Sequence, residues 1–74
     1  MESDALQIGL GQAIRAKRVA LGYSQDTFAD ILGMHRASYA AIERGKRNLT
    51  ISTLVRVAKA LGVRPGKLLD QADR

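Results

Sequence analysis

Residues 33–48 read GMHRASYAAIERGKRN, and this stretch decides the fold. A glycine opens it and a second, Gly45, closes it before two adjacent cations. Between them Met34, Tyr39 and Ile42 recur at helical spacing, so they form a buried stripe. Arg36, Ala37, Ser38, Ala40 and Ala41 are left facing partly or wholly outward. The spacing predicts a short helix from about Arg36 to Arg44, with Gly45 as its C-cap. Residues 45–50, Gly-Lys-Arg-Asn-Leu-Thr, then form a loop.

Upstream, Ser24 has the chemistry of an N-cap, and Phe28, Ala29 and Leu32 give a second helix its inner face before Gly33. A first helix spans about Leu6 to Leu21, with Leu10, Ile14 and Leu21 on one side and Ala13 and Ala20 beside them. Gly9 and Gly11 weaken its start. Downstream, Thr50 caps a fourth helix over Ile51 to Leu61. Ile51, Leu54, Val55, Ala58 and Leu61 supply its apolar stripe. Pro65 suits the first turn of a fifth helix through about Asp70, with Leu68 and Leu69 apolar. No stretch alternates as a half-buried strand does. The expected fold is all-α, a compact bundle of five short helices in a single domain over residues 1–74, its core at about 6–70.

Composition narrows the function. The chain has 74 residues, no cysteine and one histidine, His35. No disulfide or thiolate site can form, and a metal site is not expected. No apolar run approaches the roughly 20 residues that span a bilayer. The start, Met1-Glu2-Ser3-Asp4, lacks a basic signal region, so the expected location is the cytoplasm and no membrane partner is expected. Net charge is +5, but between Arg15 and Lys67 eleven Lys or Arg face three acids, Asp26, Asp30 and Glu43. A middle this basic favours nucleic acid or another anionic surface. No paired carboxylates or nucleophile–base set stands out, and Gly9-Leu10-Gly11 is too isolated to bind a dinucleotide. An enzyme is not expected, nor is any cofactor or small-molecule ligand.

Two short helices joined by a glycine turn, the second with small outward residues, describe a helix-turn-helix. The B-DNA major groove admits one α-helix, and Ala37, Ala40 and Ala41 would let the backbone come close. Arg36, in the first turn, would reach base edges, where arginine can bond O6 and N7 of guanine together. Its competing role is that of an ordinary solvated arginine.

Over about Leu10 to Leu69 the chain resembles the Cro/repressor-like (XRE-type) helix-turn-helix family. The residues that carry the likeness are IRAKR (14–18), LGYSQ (21–25), FA (28–29), LG (32–33), IERGKRN (42–48) and LVRVAKALGV (54–63). The run HRASYAAIERGKRNLTISTL (35–54) is most similar to controller proteins of restriction–modification systems. The resemblance implies a lambda-repressor-like domain that regulates transcription as a homodimer on palindromic double-stranded DNA. It further implies base contacts from Arg36, Ala37, Ser38 and Ala41. Backbone contacts would come from Gln25, Arg47, Asn48 and Ser52, with His35 and Lys46 as phosphate neighbours. Lys46 and Arg47 could instead merely cap the preceding helix. Arg18 and Glu43 match an ion pair between the first and third helices.

Two positions depart from the family pattern. Ala37 stands where a small polar residue is usual, and could only touch a thymine methyl. Tyr39 replaces an aliphatic core residue, so its hydroxyl needs a partner or an exit to water. Val57, Val63, Leu68 and Leu69 are the expected dimer contacts, through the fourth and fifth helices. Alternatives with the same fold are a phage-type repressor, an antitoxin and an interaction module that does not bind DNA.

Overall fold

Local capping chemistry sets both ends of the second and fourth helices. The computed structural model describes residues 3–73. Within it, α1 spans Ser3–Ala20, α2 Gln25–Leu32, α3 Arg36–Glu43, α4 Ile51–Leu61 and α5 Pro65–Ala72. Ser24 Oγ accepts the Thr27 amide at 3.0 Å, and Thr50 Oγ1 accepts the Thr53 amide at 3.1 Å. Each thereby satisfies an amide that a helix start leaves without a partner. Gly33 and Gly62 take the left-handed conformation that ends α2 and α4. Arg44 rather than Gly45 is the C-cap of α3, and Gly45 follows at φ 71°. The bond from the Lys46 amide to the Ala41 carbonyl, 2.9 Å, closes that end.

The five helices share one core, built on Ile14, Phe28, Tyr39, Ile42, Val57 and Leu68. Phe28 sits between Tyr23 and Tyr39, with ring centroids 5.6 and 5.4 Å away. No described helix is long and apolar enough to cross a membrane.

Helix α1 begins at Ser3, ahead of the expected Leu6, and runs through both glycines. They serve packing. A methyl group on Gly11 would lie 2.5 Å from the carbonyl oxygens of both Ile42 and Glu43, and one on Gly9 would overlap the Ala72 carbonyl. Bare backbone at these two positions lets α1 press against the end of α3 and against α5. Gly11→Ala is therefore expected to cost about 1–3 kcal/mol, because the obstacles are backbone atoms that cannot rotate away. Gly66→Ala, which meets nothing within 4 Å, is the matched control. Thermal melts followed by circular dichroism would check both.

Other expectations need correction. Leu21 is 45% exposed and Ala20 is exposed, because Arg18 occupies the inner face of the last turn of α1. Ala40, expected outside, is buried against the core. In α4 the buried set is Leu54, Val57, Ala58 and Leu61, while Ile51 is 82% and Val55 45% exposed. Both that set and the expected one obey helical spacing and share Leu54, Ala58 and Leu61, so spacing alone could not choose between them. Val57 and Leu68, expected at a dimer surface, lie inside the monomer core. Val63 is half-buried and Leu69 exposed. Helix α5 runs past Asp70 to Ala72, whose methyl is buried.

Candidate nucleic-acid interface

Helix α3 divides cleanly into two faces. Tyr39, Ala40, Ile42 and Glu43 point inward. His35, Arg36 and Ala37 are exposed, and Ser38 and Ala41 are half-exposed. The outer face thus offers small side chains headed by one long cation, a shape that lets a helix backbone approach another surface closely. His35 occupies the N-cap position but makes no capping bond with its side chain. Arg36 pairs through Nε with Asp26 Oδ1 at 3.0 Å, both side chains being mostly exposed.

Beyond α3, the loop presents Arg44, Lys46, Arg47 and Asn48 to solvent. Arg44 was not singled out from the sequence. It lies three residues after Ala41 and seven after Ala37, which is same-face spacing, and that signal was available. Asn48 accepts a hydrogen bond from Gln7 Nε2 of α1, which ties the loop to the body. Ser52 is exposed in the first turn of α4, its Oγ 3.2 Å from Thr50 Oγ1. A cation also holds the turn from behind: Arg56 of α4 donates through Nη2 to the Leu32 carbonyl at the end of α2. No sequence signal marked it.

Beneath this surface lies a polar cluster in an otherwise apolar core. Arg18 grips Glu43 with two parallel bonds, Nε to Oε2 at 2.7 Å and Nη2 to Oε1 at 3.1 Å. Its Nη1 donates to the Tyr23 carbonyl at 2.7 Å. The Tyr39 hydroxyl, whose partner the sequence left open, donates to Glu43 Oε2. Gln25 Nε2 donates to Glu43 Oε1 at 3.0 Å, so its carboxamide is held against the protein. Burial by itself would raise the Glu43 carboxyl, but the bonds from Arg18, Tyr39 and Gln25 outweigh it and hold the group below the usual carboxylate range. The Glu43 carboxylate in turn raises Arg18. Burial, then the same carboxylate, pushes the Tyr39 hydroxyl well up. Among the described residues no buried side-chain nitrogen or oxygen lacks a partner.

A family model described as helix-turn-helix matches residues 14–68, which includes α2, the turn and α3. The chain belongs to the helix-turn-helix family. Such proteins are DNA-binding transcriptional regulators, not enzymes. Control protein C.SmaI of Serratia marcescens is 42% identical over 60 residues, 81% of this chain and 71% of that protein. The solved restriction-modification controller protein C.AhdI of Aeromonas hydrophila superposes with a TM-score of 0.79 at 35% identity, over 84% of this chain and 94% of that one. The clp gene regulator ClgR of C. glutamicum superposes with a TM-score of 0.88 at 26% identity, over 92% of this chain and 87% of that one. The helix-turn-helix scaffold is thus shared by regulators of different genes.

Proposed function

We propose that the protein is a sequence-specific regulator that binds a palindromic operator as a homodimer and controls restriction–modification genes from the cytoplasm. The observation that carries the DNA-binding mode is the exposed small-residue face of α3 headed by Arg36. In this reading α3 lies in the major groove. Arg36 reads guanine, Ala37, Ser38 and Ala41 fit against base edges, and Arg44 extends the same face. Gln25, His35, Lys46, Arg47, Asn48 and Ser52 meet the flanking phosphates. For Gln25 this requires that its second amide proton or its main chain do the work, since one proton goes to Glu43. Identity with control proteins supports the restriction–modification role.

One helix-turn-helix reads only a few base pairs, so two copies related by a two-fold axis would span half-sites about 34–36 Å apart. The apolar surface available for pairing differs from the expected one. Ile51 and Val55 project from α4 one turn apart, and Ile51 shares a shallow apolar groove with Leu6, Leu49 and Leu69. Val63 follows the Gly62 cap of α4. A second copy seated on this surface would bury it.

Fluorescence anisotropy on an operator selected from random duplexes tests the docking. Arg36→Ala should weaken that operator by about 1–3 kcal/mol and relax the choice of one base pair in each half-site. Arg47→Ala should weaken all sequences alike and lower the slope of log K against log salt by about one per site. Parent-like binding by both variants would refute the docking.

A further inference from the structure

The geometry points to Asp26 as the residue that aims Arg36 and so sets how sharply the protein separates its operator from other DNA; this rests on the docking proposed above. Arg36 opens α3, and Asp26 lies in the first turn of α2. The two residues therefore join the paired helices at their N-terminal ends, where α3 would enter the groove. Asp26 Oδ1 lies 3.0 Å from Nε of the guanidinium as an ion pair, and among the described residues Arg36 has no other partner. The carboxylate thus sits beside the Nε end of the planar fork. The two terminal nitrogens are left without a partner among the described residues, as a bond to O6 and N7 of a single guanine needs.

An unheld arginine carries high rotamer entropy and can turn to whatever phosphate is nearest. The carboxylate opposes this in two ways. It draws the guanidinium toward the start of α2, and it repels phosphates that would pull the side chain aside. On a matching base, Arg36 keeps its ion pair with Asp26 and adds the guanine contact. On a wrong base, the pair stays closed and Arg36 gains nothing. An acid at this place costs affinity for DNA in general and raises the ratio of specific to non-specific binding. In water the pair is weak, because its side chains are 61% and 76% exposed. In the groove water is displaced, and the same geometry counts for more.

Asp26 also has an ordinary role, since an acid in the first turn favours the α2 dipole. That role would move the melting temperature and leave base preference alone. The test is therefore selection from a random duplex pool, with parent, Asp26→Asn, Asp26→Glu and Arg36→Ala compared in parallel. Binding to a scrambled duplex over a salt series is measured alongside.

Asp26→Asn should still bind. Its preference for the guanine under Arg36 should fall about tenfold, part of what one bidentate contact gives. Its affinity for the scrambled duplex should rise, with a salt slope steeper by about one. Asp26→Glu should restore part of the preference. Should Asp26→Asn select the same guanine as sharply as the parent while Arg36→Ala loses it, the inference is wrong and the docking survives. Should Arg36→Ala itself keep the parent's selection, the docking fails and this inference falls with it.

Discussion

Replacing Glu43 by alanine is expected to cost about 3–5 kcal/mol, because it strands the buried Arg18 guanidinium without its counter-ion. It also strips the Tyr39 hydroxyl and the Gln25 amide of their acceptor. For a chain of 74 residues, total stability is about 4–11 kcal/mol. At the low end of that range much of the population would be unfolded at 37 °C, and the thermal midpoint should fall by at least about 12 °C. Urea titration of parent and variant measures the loss directly. Exchanging the whole cluster for apolar groups of similar volume, as in Arg18→Met with Tyr39→Phe and Glu43→Leu, should recover much of it, since matched apolar replacement of a buried pair is often neutral. A triple variant as unstable as Glu43→Ala would show that the cluster stabilises by more than its own satisfaction.

The same cluster predicts a pH response. Glu43 titrates lower in the folded protein than in the unfolded chain. Its contribution is therefore complete above the unfolded pKa and is lost as pH falls through the folded one. Stability should hold near neutrality and decline below about pH 4. Glu43→Gln should flatten that decline.

Charge placed at Ile51 is expected to abolish pairing without harming the monomer. Ile51 is 82% exposed, so Ile51→Glu removes almost nothing from the core. In a two-fold interface each substitution acts twice. Burying one isoleucine side chain is worth about 1.5–3 kcal/mol, so two should shift the dimer dissociation constant by about 10²- to 10⁴-fold. Sedimentation equilibrium should show a monomer with a parent-like melt, and operator binding should weaken correspondingly. Leu69→Glu, at 39% exposure, should act in the same direction with smaller effect. If Ile51→Glu and Leu69→Glu both sediment like the parent, copies do not meet on this surface.

Elements governed by neighbours in the chain were legible beforehand. Ser24 and Thr50 cap amides three residues ahead, and Gly33 and Gly62 end their helices in the left-handed region. The boundaries of α4 could be read from those signals alone. The outward placement of Arg36, Ala37, Ser38 and Ala41 was equally readable, because Tyr39 and Ile42 had to turn in. Rotations and long-range partners were not. Two stripes on α4 fitted the same periodicity, and contact with the other helices selected the one containing Val57. Leu21 looked like core until Arg18, paired with a carboxylate 25 residues away, took the inner face of the last turn of α1.

Five helices, the caps of α2 and α4, and the small-residue face of α3 could be read from residue order alone, since each follows from chemistry within a few residues of chain. It took the packed helices to reveal that Gly9 and Gly11 are crossing points, that Tyr39 and Gln25 join the Arg18–Glu43 pair, and that Asp26 meets Arg36. These depend on which surfaces of separate helices come within about 3 Å, the range of a hydrogen bond. That follows from packing the whole core at once, and no local pattern encodes it.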